Sequence, residues 1–142
     1  ILDEKNGPPP EVNLFNEKNN GQCLLDLMEK GYIKSAHDVS LGGLLTAISK
    51  MCIKGNKGIK LNKSKNFIND IEYFFSEDQG RYIIEINSKD FENVRKILDK
   101  NSVYHEELGI IIDNEMIIDE KTKLTIDELR SYNTNWLIKY MS

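Results

Sequence analysis

The sequence predicts an α+β domain, a layered fold in which helices pack on a sheet. Three observations carry this. Helix-spaced apolar runs and short β-branched runs mix without strict βα alternation, two of the strand-like runs meet at a tight turn at Asp113-Asn114, and no internal repeat interrupts the pattern. With 142 residues, 39% hydrophobic and 30% charged, the chain is long enough to bury one core of ordinary size.

Each element has a local reason. After Gly7-Pro8-Pro9-Pro10, which prolines hold extended, the residues Leu24, Leu25, Leu27 and Met28 recur at helical spacing and predict a helix from about Phe15 to Lys30, closed by Gly31. Residues 1–14 read as a linker entering a domain at 15–142. Tyr32 to Ala36 predicts a short strand delivering a polar loop. From Gly43, the residues Leu44, Leu45, Ala47, Ile48, Met51 and Cys52 trace one face of an amphipathic helix that Gly55 ends. Gly58 to Leu61 is a strand candidate, followed by a polar surface loop through Asn66. Phe67, Ile68, Ile71, Phe74 and Phe75 form either a helical turn or an irregular packed segment.

Tyr82 to Ile86 is the strongest strand signal, being β-branched, aromatic and bounded by Gly80 and Asn87-Ser88. Ser88 is the expected cap of a helix whose Phe91, Val94, Ile97 and Leu98 share a face. Val103 to Asp113 and Glu115 to Asp119 read as a hairpin. A last helix begins at Thr125 or Asp127 and carries Ile126, Leu129, Trp136, Leu137 and Met141, with Trp136 and Tyr140 as packing anchors.

The composition excludes several classes. A formal charge of −4 with scattered basic residues argues against a nucleic-acid footprint. No apolar run approaches the roughly 20 residues that cross a bilayer, and the amino terminus has no basic, signal-like start, so a cytoplasmic chain is expected. Cys23 and Cys52 lie on apolar helix faces without CxxC spacing, which predicts buried free thiols, neither a disulfide nor a metal site. Cys52 has no base beside it and is no nucleophile. His105, beside Glu106 and Glu107, reads as an exposed strand position.

Chemistry concentrates in two segments. In Ser35-Ala36-His37-Asp38-Val39-Ser40-Leu41-Gly42-Gly43-Leu44, ionisable residues abut a glycine pair that opens a helix, the form of an anion-handling turn; the competing reading has His37, Asp38 and Ser40 simply capping that helix. In Ser76-Glu77-Asp78-Gln79-Gly80-Arg81, two carboxylates, an amide and a guanidinium meet beside a glycine. They suit a metal-bound phosphate or an amide or amidine ligand, or form a charged surface turn with an internal Glu77–Arg81 or Asp78–Arg81 pair. His37 as a general base helped by Asp38 requires a bend, because neighbours on an extended segment face opposite ways.

Taken together, these segments resemble the phosphoribosylformylglycinamidine synthase family of the aminoimidazole ribonucleotide synthetase-like superfamily. The Ser-Ala-His-Asp loop with Gly42-Gly43, the entering Gly7-Pro8-Pro9 with Glu11, Phe75 to Tyr82 with its Glu-Asp-Gln-Gly-Arg core, and Leu108-Gly109 occur in the family's order across most of the chain. The resemblance implies a layered α/β/α domain with a mixed sheet, like the carboxy-terminal domain of aminoimidazole ribonucleotide synthetase. It identifies the chain as a B-type domain, the second copy in its parent. It implies ATP-dependent conversion of a formylglycinamide ribonucleotide amide to an amidine with ammonia from glutamine, with ATP and magnesium used by the parent enzyme and neither expected in the isolated domain.

The implied partners are the amino-terminal A and B domains of the same chain and the glutaminase and small bridging subunits, with no nucleic acid and no membrane. No residue here is implied as catalytic and none as a metal ligand. His37, Asp38, Ser40, Gly42, Gly43, Glu77, Asp78, Gln79 and Arg81 are implied to line a substrate or auxiliary nucleotide site. Asp78 departs from the Ser of the matching family turn, and Leu41 departs from an acid usual before the glycine pair. A stand-alone phosphate-binding module and another ATP-dependent enzyme of the superfamily are the alternatives.

Overall fold

The structure, a computed structural model, describes residues 11–62, 70–118 and 122–142. The proline run, the polar loop through Asn66, Phe67, Ile68 and the end of the predicted strand at Asp119 lie outside the described residues. The chain divides into two compact units, Ile1–Gly43 with Ser76–His105, and Leu44–Phe75 with Glu106–Ser142.

In the first unit, helix α1 spans Leu14–Glu29. Asn13 caps its start by accepting the Asn16 N–H at 3.0 Å. Its end is a Schellman turn: Gly31 takes φ of 72°, its N–H donates to the Met28 carbonyl, and the Tyr32 N–H donates to that of Leu27. Strand β1 (Ile33–Asp38) then pairs antiparallel with β3 (Tyr82–Ile86), the register running from Ile33 opposite Ile86 to Asp38 opposite Tyr82. Helix α4 (Phe91–Lys100) follows β3.

Ser88 does not cap α4 as predicted. It opens a 3-10 turn, Ser88–Asp90, and the Asn87 amide donates to the Asp90 carboxylate at 3.1 Å, so these side chains bond each other and leave the helix's first N–H groups to the turn. The core of this unit is Cys23, Leu27 and Val94, with Tyr32, Ile33, Ile84, Ile86, Ile97, Leu98 and Val103 packed against it. Burial, then the Asp26 carboxylate, push the Cys23 thiol above its ordinary range.

The second unit carries α2 (Gly43–Gly55, entering from Gly43), β2 (Gly58–Leu61), α3 (Asp70–Phe75), β4 (Gly109–Ile112), β5 (Glu115–Ile117), β6 (Lys123–Thr125) and α5 (Ile126–Met141). Leu44, Ala47, Ile48 and Cys52 are the buried stripe of α2, at the spacing of one helix face. The Ser49 hydroxyl lies 3.9 Å from the Met116 sulfur, so α2 rests on β5. Met116 and Ile126 are almost fully buried.

The sheet order is β4-β2-β5-β6, and it is mixed: β2 is antiparallel to β4 and parallel to β5. The predicted hairpin across Asp113-Asn114 is therefore wrong. The chain does turn there, but β2 inserts between the two strands, its Gly58 N–H donating to the Asp113 carbonyl at 3.0 Å. The antiparallel neighbour of β5 is β6. Residues 103–108 are not strand, and His105 is half-buried, its Nδ1 donating to the Val103 carbonyl with Nε2 3.8 Å from Asp99.

Thr125 caps α5 in a reciprocal box, accepting the Glu128 N–H while its own N–H and hydroxyl donate to the Glu128 carboxylate. Those two bonds hold the Glu128 carboxyl below the usual carboxylate range. Trp136 and Tyr140, predicted as anchors, are 60% and 82% exposed.

Candidate functional site

Antiparallel pairing explains how two segments about 40 positions apart in sequence become one site. β1 leaves its ribbon at Asp38 where β3 enters at Tyr82, and the Val39 N–H donating to the Arg81 carbonyl at 2.9 Å continues the ladder past both strand ends. The turn after β1 therefore lies beside the turn before β3.

The glycine pair has a conformational cause. The Gly43 N–H donates to the Ser40 carbonyl at 2.9 Å, closing a four-residue turn whose third residue, Gly42, has φ of 86°; Gly43 follows at 71°. A side chain at either position costs roughly 1–2 kcal/mol of left-handed strain.

The anion at this turn belongs to the protein itself. The Gly42 N–H donates to Glu77 Oε1 at 2.8 Å, a charge-assisted bond joining the two candidate segments. Glu77 thus does not pair with Arg81. Arg81 Nη1 donates to the Ser76 hydroxyl at 2.9 Å and its carbonyl at 3.3 Å, and stands 3.5 Å from the half-exposed Asp78 carboxylate. The capping reading fares no better, because Asp38 lies in β1 and Ser40 enters the turn through its carbonyl.

His37 and Asp38 fall on opposite faces of β1, whose burial alternates residue by residue. The ring nonetheless curls along the backbone: Nδ1 lies 2.6 Å from the Asp38 carbonyl and 3.4 Å from its carboxylate. With a carbonyl as partner Nδ1 carries the hydrogen, which leaves Nε2 as the acceptor of the neutral ring.

Helix α1 supplies a wall that the sequence reading missed. Gly80, φ 70°, is approached so closely that an added Cβ would stand 3.0 Å from Glu17 Cγ, and the Asn20 amide donates to the Gly80 carbonyl at 3.0 Å. A groove of about 210 Å³ runs between α1 and the Gln79-Gly80-Arg81 turn, lined also by Glu11, Asn13, Asn16, Glu17 and Asn20. A neighbouring hollow continues it to Asp38, Val39 and Tyr82. The spacing 13, 16, 17, 20 is one face of a helix, and that polar stripe is the signal that could have pointed here.

The lining sets the chemistry. Glu11, Glu17 and Asp38 stand against one guanidinium, Arg81, so the groove favours amide, hydroxyl or cationic groups over a bare phosphate. Among the described residues no group of three His, Cys, Asp or Glu side chains is placed to hold a metal ion. The nine residues singled out in the sequence all belong to the first unit. His37, Asp38, Ser40, Gly42 and Gly43 meet Glu77, Asp78, Gln79 and Arg81 at this end of the ribbon, with Glu77–Gly42 as their direct side-chain bond.

Comparison with known proteins agrees with this fold. The chain is 63% identical over 141 residues to the phosphoribosylformylglycinamidine synthase subunit PurL of Pelagibacter ubique (strain HTCC1062), covering 99% of this chain and 19% of that protein. It is 34% identical over 142 residues, 100% of this chain and 19% of the relative, to the PurL subunit of Bartonella quintana (strain Toulouse). The chain thus spans about a fifth of the length of these relatives. The fold is similar to that of T. maritima PurL complexed with FGAR, with a TM-score of 0.74 at 19% identity over 89% of this chain and 23% of the other. It is likewise similar to a chain of PurLQS from Thermotoga maritima, at 0.72 and 21% over 83% and 22%. The family described as AIR synthase related protein, C-terminal domain, matches residues 1–121, and the chain belongs to that family.

Proposed function

We propose that the chain is the carboxy-terminal B-type domain, the second copy, of a phosphoribosylformylglycinamidine synthase, with residues 1–14 as the linker entering the domain at 15–142. The observation that carries this reading is the 63% identity to a PurL subunit over 141 residues, 99% of this chain. The reaction is the ATP-dependent conversion of the formylglycinamide ribonucleotide amide to an amidine, with ammonia taken from glutamine. Its setting is the cytoplasm. The partners are the amino-terminal A and B domains of the same polypeptide and the glutaminase and small bridging subunits; the relatives' designation as a subunit supports this.

Nucleotide and magnesium do not fit the described residues on their own. Glu77 occupies the turn's N–H, the groove is acidic, and among the described residues no metal-ligating trio is present. Both therefore belong with the remainder of the synthase, and the groove contributes one wall of a substrate or auxiliary nucleotide site. In that wall, Gln79 and the α1 amides offer hydrogen bonds to an amide or ribose group, and Arg81 supplies the positive charge. His37, Asp38, Ser40, Gly42, Gly43, Glu77 and Asp78 hold the turn that shapes it.

The test is the full-length polypeptide, assayed with its glutaminase for ATP- and glutamine-dependent loss of formylglycinamide ribonucleotide. Turnover is expected, and its absence refutes the proposal. Calorimetry of the 142-residue chain with magnesium and ATP should show no tight binding, and tight binding overturns the assignment of nucleotide to the other domains.

A further inference from the structure

Helix α5 is held at its amino-terminal end. Its first turn is fixed by Ile126, 0% exposed, whose N–H donates to the Asn114 carbonyl, and by Arg130 Nη2 donating to Asn56 Oδ1 at 2.8 Å. From Ser131 to Met141 every described side chain is exposed. Tyr132, Trp136 and Tyr140 recur every fourth residue, 74%, 60% and 82% exposed, and so form one aromatic stripe. Two of the polar side chains between them bond within the helix: the Thr134 hydroxyl donates to the Arg130 carbonyl, and the Asn135 amide to the Ser131 hydroxyl. No charged residue occurs from Ser131 through Ile138. What this half of the helix offers outward is aromatic surface, the kind that marks an interaction site.

Resting on the function proposed above, we infer that the aromatic stripe of α5 docks into an apolar groove elsewhere on the same polypeptide. Two observations select this occupant. The chain spans 19% of its PurL relatives, so about four-fifths of such a polypeptide is available as a tethered partner. Moreover, three aromatic side chains of 150–250 Å² each, at these exposures, offer roughly 400 Å². That is about half the ~800 Å² per partner of a standard interface between separate proteins, but it suffices for a segment whose tether holds it at millimolar effective concentration. The family match ends at residue 121, before β6 and α5, whereas the relatives with 99% and 100% coverage extend through this segment. The helix thus lies outside the part of the chain that matches the family and inside the part shared with the PurL relatives.

Hydroxyl-radical footprinting of the full-length polypeptide, read by mass spectrometry on the peptide carrying residues 131–142, tests this. Trp136 and Tyr140 should oxidise at least fivefold more slowly than in urea-unfolded protein, at every protein concentration. The W136E/Y140E double variant should raise oxidation of Tyr132 and Met141 to the unfolded rate while the Ile126 peptide keeps its protection. Oxidation of the wild-type stripe at the unfolded rate overturns the inference. So does protection seen only at high concentration, which assigns the stripe to a second copy, or only with other subunits added. The turnover assay fails or succeeds independently of this footprint, so the two readings fall separately.

Discussion

Replacing Glu77 by alanine tests whether the two polar segments are joined by one side chain. The bond from the Gly42 N–H to Glu77 Oε1 is 2.8 Å long and carries a full negative charge, yet Glu77 is exposed and water replaces it on removal. The net loss is therefore at the ordinary level of about 0.5–1.5 kcal/mol, not that of a buried charged pair. At tenfold per 1.4 kcal/mol, the Gly42 amide should exchange with solvent roughly two- to twelvefold faster in Glu77→Ala. Glu77→Gln keeps a neutral acceptor and should fall between.

The assay is residue-resolved amide hydrogen exchange by NMR, which reads local opening directly. Val39 is the internal control, because its N–H bonds the Arg81 carbonyl at 2.9 Å and does not involve Glu77. An unchanged Gly42 rate in Glu77→Ala refutes the latch. Equal acceleration at Val39 also refutes it, because the ribbon end would then have opened as a whole.

Other perturbations follow from single geometries. An alanine Cβ at Gly58 would collide with the Glu115 carbonyl oxygen and stand 2.5 Å from its nitrogen, so Gly58→Ala should cost about 3 kcal/mol in urea melts by parting β2 from β5, whereas Gly55→Ala meets nothing within 4 Å and should not destabilise. Thr125→Ala should cost about 1 kcal/mol of stability. Because Glu128 is held below the usual carboxylate range by Thr125, its contribution is present above that range and lost as pH falls through it, a loss absent from the Thr125→Ala acid melt. Burial raises Cys52 from 9.0 to about 11, so its share of stability is intact below about pH 9, declines between 9 and 11, and disappears from the alkaline melt of Cys52→Ala; at pH 8 its alkylation should require unfolding.

The elements legible in the sequence were those whose boundaries are local. α2 runs from Gly43 to Gly55, β2 from Gly58 to Leu61 and β3 from Tyr82 to Ile86, as predicted, because glycines and a change of apolar period mark their ends within a few residues. Strand order is not local information. Asp113-Asn114 makes a turn, but whether the strands flanking it pair depends on β2, more than 50 residues earlier, which finds partners on both sides of its own backbone. The α5 aromatics misled for a related reason. Periodicity shows that a face is apolar without showing what covers it, and a sheet ending in the three-residue β6 has nothing to offer beyond the helix's first turns. Both polar segments stood out in the sequence because turn residues and charges are rarely so dense. The α1 wall did not, since nothing local to Asn13, Asn16 and Asn20 marks them until the Gly80 turn is seen to pack against Glu17 and Asn20 on the same helix face.

Leu41 separates what the glycine turn needs from what a ligand would need. It is 80% exposed, and the turn around it is set by the positive φ of Gly42 and Gly43, so an acidic side chain there should leave the backbone as it is. An acid would nevertheless stand one residue before the N–H that Glu77 occupies, adding like charge to a groove already rich in carboxylates. Between exposed groups this repulsion is about 0.2–0.5 kcal/mol, so Leu41→Asp should speed Gly42 exchange by no more than about twofold at low salt. At 1 M salt the screening length is about 3 Å, and the difference should vanish. A rate increase that survives 1 M salt would mean that residue 41 shapes the turn itself, and the division drawn between the glycines and their neighbour would be wrong.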